Sequence, residues 1–325
     1  MMTNAMKDAH EGPALERPTA GGSRLGAWSQ SALACLVLLG LGGRNDGKGL
    51  WAAEARSPEI ELFLKPNTQE FAISVALNLQ GQMFLAYPDS SIRRVIPKRE
   101  YPLRFASTGL SLASMGGGYL RRGMAFDRQS HLYVTDGQGL FRVDQQGKIS
   151  QLMTGFQDAI DLKVDPTGNI YVAEAQECAV YKVTPDLTKR RLIDRGYRIR
   201  MREMLTSIAF DRQFKNLYLA ERYTGQILRY PLREDGQVGP PQVLAKGIVS
   251  LRSIVVDDKG DVFANIDFPV ILRIDAQGQQ KQLVIPNNYD FCMGRMAMGE
   301  AEGDRQTLYI PTHLGIVRIG TARSF

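Results

Sequence analysis

Residues Ser207–Leu232 read "SIAFDRQFKNLYLAERYTGQILRYPL": apolar and polar residues alternate, the chain turns at an Asp-led tetrapeptide, and the alternation resumes twice more. Alternation of period two in aromatic and β-branched residues is the mark of half-buried strands. A near copy, "GMAFDRQSHLYVTDGQGLFRVD", stands at Gly123–Asp144. Further copies begin at Ser74, Asp161, Ser253 and Arg295. Anchored on the residue that closes the first strand of each (Asn78, Asp127, Asp165, Asp211, Asp257, Gly299), the spacing runs from 38 to 49 residues. A repeat of this length, with several short strands in each copy, is the period of a four-stranded propeller blade.

The punctuation agrees. "VDPTG", "VDDKG" and "LNLQG" are acid- or Asn-led turns whose glycine takes a positive φ. "ILRYPL" and "LFRVD" supply third strands, and "KISQLMTG" (Lys148–Gly155), "PQVLAKG" (Pro241–Gly247) and "KQLVIPN" (Lys281–Asn287) supply fourth ones. No long amphipathic helix follows Arg56. A lone sheet of this kind is apolar on both faces, and radial packing against two neighbours buries both. The expectation is an all-β, six-bladed β-propeller over 56–325. The last copy has three strands, and "EIELFLKP" (Glu59–Pro66) is expected to complete that blade and close the ring.

Within these repeats, "DLKVDPTGNIYVAE" (Asp161–Glu174) and "MAMGEAEGDRQTLYIPTHLGIVRI" (Met296–Ile319) resemble the third and final blades of the gluconolactonase/regucalcin family. The repeats as a whole are similar to those of strictosidine-synthase-like and NHL-repeat propellers. The lactonase resemblance implies a divalent metal at the top centre of the ring, where the innermost strands begin, held by one Glu, two Asn and one Asp. Such oxygen donors suit a hard cation that polarises a lactone carbonyl and activates water. The matching positions here are Ile73, Ile160, Thr206 and Arg252, and a slip of one residue makes only Asp161 available. No metal and no cofactor are therefore expected.

The segments on that face offer other chemistry. Arg122 and Arg252 hold equivalent places in the second and fifth copies, opposite one another in a ring of six. A guanidinium pair can clamp a carboxylate or phosphate; alternatively Arg122 pairs with Asp136 and Arg252 with Asp267. Glu174 and Glu221 leave matching second strands, as a carboxylate pair for acid–base work or as partners of local arginines such as Arg222. Arg295 begins the last copy, and His313 at a second-strand exit is a general base or a structural side chain. "MGGGYLRRG" (Met115–Gly123) lacks the lysine and the strand-to-helix setting of a phosphate loop.

Bulk properties narrow the class. Of 325 residues 44% are hydrophobic, enough for a large core. The formal charge of +6 is modest, and no basic cluster is interleaved with aromatics, so nucleic acid is not an expected partner. The basic run Thr188–Arg202 alternates with apolar residues and reads as an outer strand with a solvated face. Three cysteines, Cys35, Cys178 and Cys292, define neither a metal site nor a disulfide framework. The uncharged run Leu25–Gly43, preceded by Arg17 and Arg24 and followed by "AAEA", reads as a signal peptide or a membrane tether within a leader over 1–55. The resulting expectation is an exported, monomeric propeller, periplasmic or extracellular, that binds a small anionic molecule or an extracellular protein. A lactone or ester hydrolase with a divergent site, and a purely structural interaction propeller, are the alternatives.

Overall fold

The computed structural model describes residues 60–64, 71–97, 102–107, 123–196, 205–266, 269–285 and 294–321. The leader, Cys35, Cys292, Arg122 and Asp267 lie outside the described residues.

Strand β1 (Ile60–Leu64) is followed by a sheet of β2 (Ser74–Leu77), β3 (Met83–Ala86), β4 (Ser91–Arg94) and β5 (Leu103–Ser107). A seven-stranded sheet comes next: β6 (Met124–Phe126), β7 (Leu132–Thr135), β8 (Gly137–Val143), β9 (Ile149–Val164), β10 (Ile170–Glu174), β11 (Ala179–Val183) and β12 (Lys189–Asp194). Two four-stranded sheets follow, β13 (Leu205–Phe210) to β16 (Gln242–Ala245) by way of β14 (Asn216–Glu221) and β15 (Gln226–Pro231), then β17 (Leu251–Val256) to β20 (Gln280–Val284) by way of β18 (Val262–Ile266) and β19 (Val270–Ile274). The last sheet holds β21 (Ala297–Met298), β22 (Thr307–Thr312) and β23 (Gly315–Gly320), with β1 antiparallel to β23 through Ile60↔Ile319 and Leu62↔Val317.

The sequence led us to treat "KISQLMTG" and the start of the next repeat as separate elements. Instead, β9 is one strand of 16 residues. Its first half pairs with β8 and its second half with β10, so one strand is the outer edge of one blade and the inner edge of the next. The basic run does form an outer strand, β12, with Lys189, Arg190 and Arg191 exposed.

The innermost strands stand side by side: β2 against β6, β6 against β9, then β13, β17, β21 and β2 again. Among the described residues five apolar clusters lie between neighbouring sheets, among them Ile160, Leu205 and Leu217 in one and Leu85, Tyr309 and Ile316 in another, and a sixth lies between the two halves of the seven-stranded sheet. The chain is an all-β propeller, and its core is divided among inter-blade seams as radial packing requires. Asp-led turns join the first and second strands. Asp165 Oδ1 accepts N–H bonds from Thr167 (2.9 Å) and Asn169 (3.0 Å), and Gly168 takes a φ of 83°. Cys178 is a buried free thiol. No described helix is long and apolar enough to cross a membrane.

Candidate functional site at the hub

The six repeats each start with a residue in the same place on or just before the innermost strand: Ser74, Gly123, Asp161, Ser207, Ser253 and Arg295. In three of them the side chain takes an N–H from the next blade. Asp161 Oδ2 accepts from Ile208 N (3.0 Å), Ser207 Oγ from Ile254 N (3.2 Å), and Ser253 Oγ from Met296 N (3.2 Å). The ring passes from the last repeat to the first through the backbone: Val75 N–H donates to Arg295 O and Arg295 N–H to Ile73 O. At Gly123 there is no room for a side chain. A Cβ there would lie 2.5 Å from Leu162 N and 2.6 Å from Asp161 Cα.

Asp161 is the centre of this ring. It is 1% exposed, and besides Ile208 its Oδ2 accepts the Ser207 hydroxyl (2.8 Å), while Arg295 Nη1 reaches across the axis to within 3.1 Å. Oδ1 faces Lys163 Nζ at 3.3 Å. Burial alone would push the carboxyl up. Arg295, Lys163, Ile208 and Ser207 outweigh that and hold it below the usual carboxylate range. A buried charge needs a partner of this kind. Arg295, read from the sequence as a ligand contact, is 9% exposed and faces Asp161 Oδ2 at 3.1 Å.

One residue before this ring, the pairing registers skip in three blades. Ala159 and Asp161 face Glu174 and Ala173, leaving Ile160 without an opposite residue; Thr206 and Arg252 are skipped in the same way. These matched β-bulges re-aim the side chain at the top of the innermost strand. Bulges of this sort recur beside binding sites, and the bulged positions are the ones at which the sequence resemblance would place metal ligands. Ile160 is buried in an apolar cluster, and Ile73 in another. Thr206 donates its hydroxyl to Ala220 O (3.2 Å). Arg252 is half-buried and cationic. Two hydrocarbon side chains, a hydroxyl already donated and a guanidinium do not fit a hard divalent cation, which takes six or more oxygens. Among the described residues no three His, Cys, Asp or Glu side chains converge as a metal cage.

The remaining candidates are held locally. Glu174 is 1% exposed, and its oxygens accept N–H bonds from Asp158 (2.7 Å), Gln157 (3.0 Å) and Gln176 (3.3 Å). Burial nevertheless pushes its carboxyl up to about 7, against the pull of those amides. Its donors are backbone N–H groups in the middle of β9 (Gln157, Asp158) and just after β10 (Gln176), where the sequence suggested an arginine. Glu221 accepts from Arg195 of the preceding blade and from the Thr224 hydroxyl (2.8 Å). Separate sets of donors thus hold the two carboxylates. His313 packs edge-on to Phe71 with ring centroids 4.7 Å apart. Asp136 Oδ1 accepts from Gly139 N (2.9 Å), and its buried Oδ2 has no hydrogen-bond partner among the described residues.

The fold and hub define a propeller whose central charges are supplied by its own side chains. The chain belongs to the SMP-30/gluconolactonase/LRE-like family, whose model matches residues 92–313. Among solved structures it is similar to a gluconolactonase from Xanthomonas campestris, with 14% identity and a TM-score of 0.62 over 77% of this chain and 86% of that one. A luciferin-regenerating enzyme matches at 11% identity and 0.60, over 81% and 95%. An auxiliary nutrient binding protein from Bacteroides thetaiotaomicron matches at 14% and 0.60, over 80% and 76%. At these identities the likeness is one of fold. No curated protein matches the chain.

Proposed function

We propose that this is a six-bladed propeller, closed by Ile60–Leu64 on the last blade, whose top face binds a small anionic molecule without a metal. The pairing of β1 with β23 and the apolar cluster joining the last sheet to the first support the closure. The observation that carries the binding reading is the set of three matched bulges, one of which aims Arg252 at the position where the resemblance would place a metal-ligating acid. A guanidinium there favours a carboxylate or phosphate. Export follows from the apolar run Leu25–Gly43 and remains part of the proposal.

The hydrolase alternative draws on the likeness to a gluconolactonase and on the raised carboxyl of Glu174. Because backbone amides occupy both oxygens of Glu174, we prefer the binding reading.

A thermal-shift panel of sugar acids and sugar phosphates tests this. At least one anion is expected to raise the melting temperature of the wild type, and Arg252→Ala is expected to weaken that ligand about tenfold, the loss of one charged hydrogen bond of about 1.5 kcal/mol. Equal stabilisation of wild type and Arg252→Ala by every anion would reject the assignment.

A further inference from the structure

A cleft of about 350 Å³ lies between the sheet β2–β5 and strands β6–β8 of the next blade. Two contacts hold its walls in place. The Ser130 hydroxyl donates to Gln80 Oε1 (2.9 Å), and the turn after β8 comes so close to β5 that a Cβ on Gly147 would stand 2.3 Å from Phe105 O. Phe84, Phe105 and Phe126 form an apolar wall, with the rings of Phe105 and Phe126 centred 5.0 and 5.1 Å from that of Phe84. Phe105 and Phe126 are only half-buried.

The polar lining is mixed. Gln80 Oε1 is taken by Ser130 and Gln82 Oε1 by Asn78 Nδ2, which leaves each glutamine its NH2 group as a donor. Asp144 Oδ1 accepts from Gln146 N (3.0 Å) and Lys148 N (2.9 Å), and its Oδ2 has no partner among the described residues. Arg94 makes no side-chain hydrogen bond or ion pair among them either; its Cζ lies 5.8 Å from the centre of the Phe105 ring. One guanidinium and one carboxylate cancel, so the cleft selects neither an anion nor a cation. Spare donors and a spare acceptor beside aromatic rings suit a neutral polyhydroxy molecule. Each hydroxyl both donates and accepts, and the C–H groups pack on the electron-rich ring faces. A small set of fixed polar groups on an apolar wall is the usual make-up of a small-molecule site.

We propose that this cleft between the first and second blades binds a neutral saccharide, one sugar ring against Phe105 and Phe126 and its hydroxyls on Arg94, Gln82 and Asp144 Oδ2. The site lies away from the hub, shares no residue with the top face and does not rest on the anion reading.

The methyl glycosides of glucose, galactose, mannose and N-acetylglucosamine are suitable probes. They carry neither a charge nor a lactone, so the top-face reading predicts nothing for them. Saturation-transfer NMR titration is expected to show saturable binding of at least one. Arg94→Met and Asp144→Asn are each expected to weaken that glycoside about tenfold, the loss of one hydrogen bond to a charged group. Both variants are expected to keep the wild-type unfolding midpoint, since asparagine retains the Oδ1 that caps the turn. Amide exchange in the unaltered protein supplements the variants. A saturating glycoside is expected to slow exchange severalfold at 78–82 and 144–148 and to leave the equivalent turn at 165–169 unchanged. Binding of none of the four, an affinity untouched in either variant, or exchange at 78–82 and 144–148 unaltered by the bound glycoside would each overturn the proposal.

Discussion

Arg295→Met is expected to destabilise the protein by about 3–5 kcal/mol, the cost of leaving a buried charge without its partner. Methionine keeps much of the hydrocarbon stem and removes the charge, so the loss reads the electrostatics more than the packing. Asp161 then keeps Lys163, the Ser207 hydroxyl and the Ile208 N–H but loses the strongest of the interactions that hold its carboxyl down, so the carboxyl moves up. The pH dependence follows. In the wild type the Asp161 carboxyl is depressed, so its contribution is complete above the unfolded-state pKa and fades as the pH falls through the lower folded value. In Arg295→Met the folded carboxyl is held down less, so the deficit against wild type is largest near neutrality and shrinks in acid. Adding Asp161→Asn to Arg295→Met is expected to recover part of the loss, because contacting partners are not additive. Urea unfolding at pH 7 and pH 4 measures all of this. A deficit under about 1 kcal/mol at pH 7, the range of an exposed pair, would show that the two groups are not a buried ion pair.

Gly123→Ala is expected to be nearly as damaging, at or above the top of the 1–3 kcal/mol range for overpacking. The methyl would meet Leu162 N and Asp161 Cα, which are main-chain atoms of the neighbouring blade. No rotamer change relieves such a clash; the innermost strands β6 and β9 would have to part. Gly303→Ala is the control, since nothing lies within 4 Å of its added Cβ. Comparable unfolding midpoints for the two variants would contradict the close approach.

The blades were legible because each repeat carries its own turn residue, an acid in four of the six, and its own period-two strands with aromatic anchors, as at Asp165–Glu174. The hub was legible only in outline. Asp161 and Arg295 lie 134 residues apart, and nothing local says that they meet. The signal lies in the column of repeat starts, where an acid and a base occur three repeats apart among Ser and Gly. The bulges at Ile160, Thr206 and Arg252 were hidden because alternation reports which face a residue takes, whereas a skipped residue belongs to the hydrogen-bond ladder. Arg195 was read as part of a solvated basic face. It turns inward to Glu221 because that carboxylate, 1% exposed, needs a charge from the preceding blade. Glu174 drew its donors from backbone amides, which no side-chain pattern announces.

The reading of the hub as a site without a metal depends on its cation being the Arg295 guanidinium beside Asp161. Calorimetric titration of chelator-treated protein with calcium, manganese and zinc tests this most directly. The account predicts no stoichiometric heat from any of the three and an unfolding midpoint unchanged by chelation. One tight equivalent of metal, lost in Asp161→Asn, would contradict it.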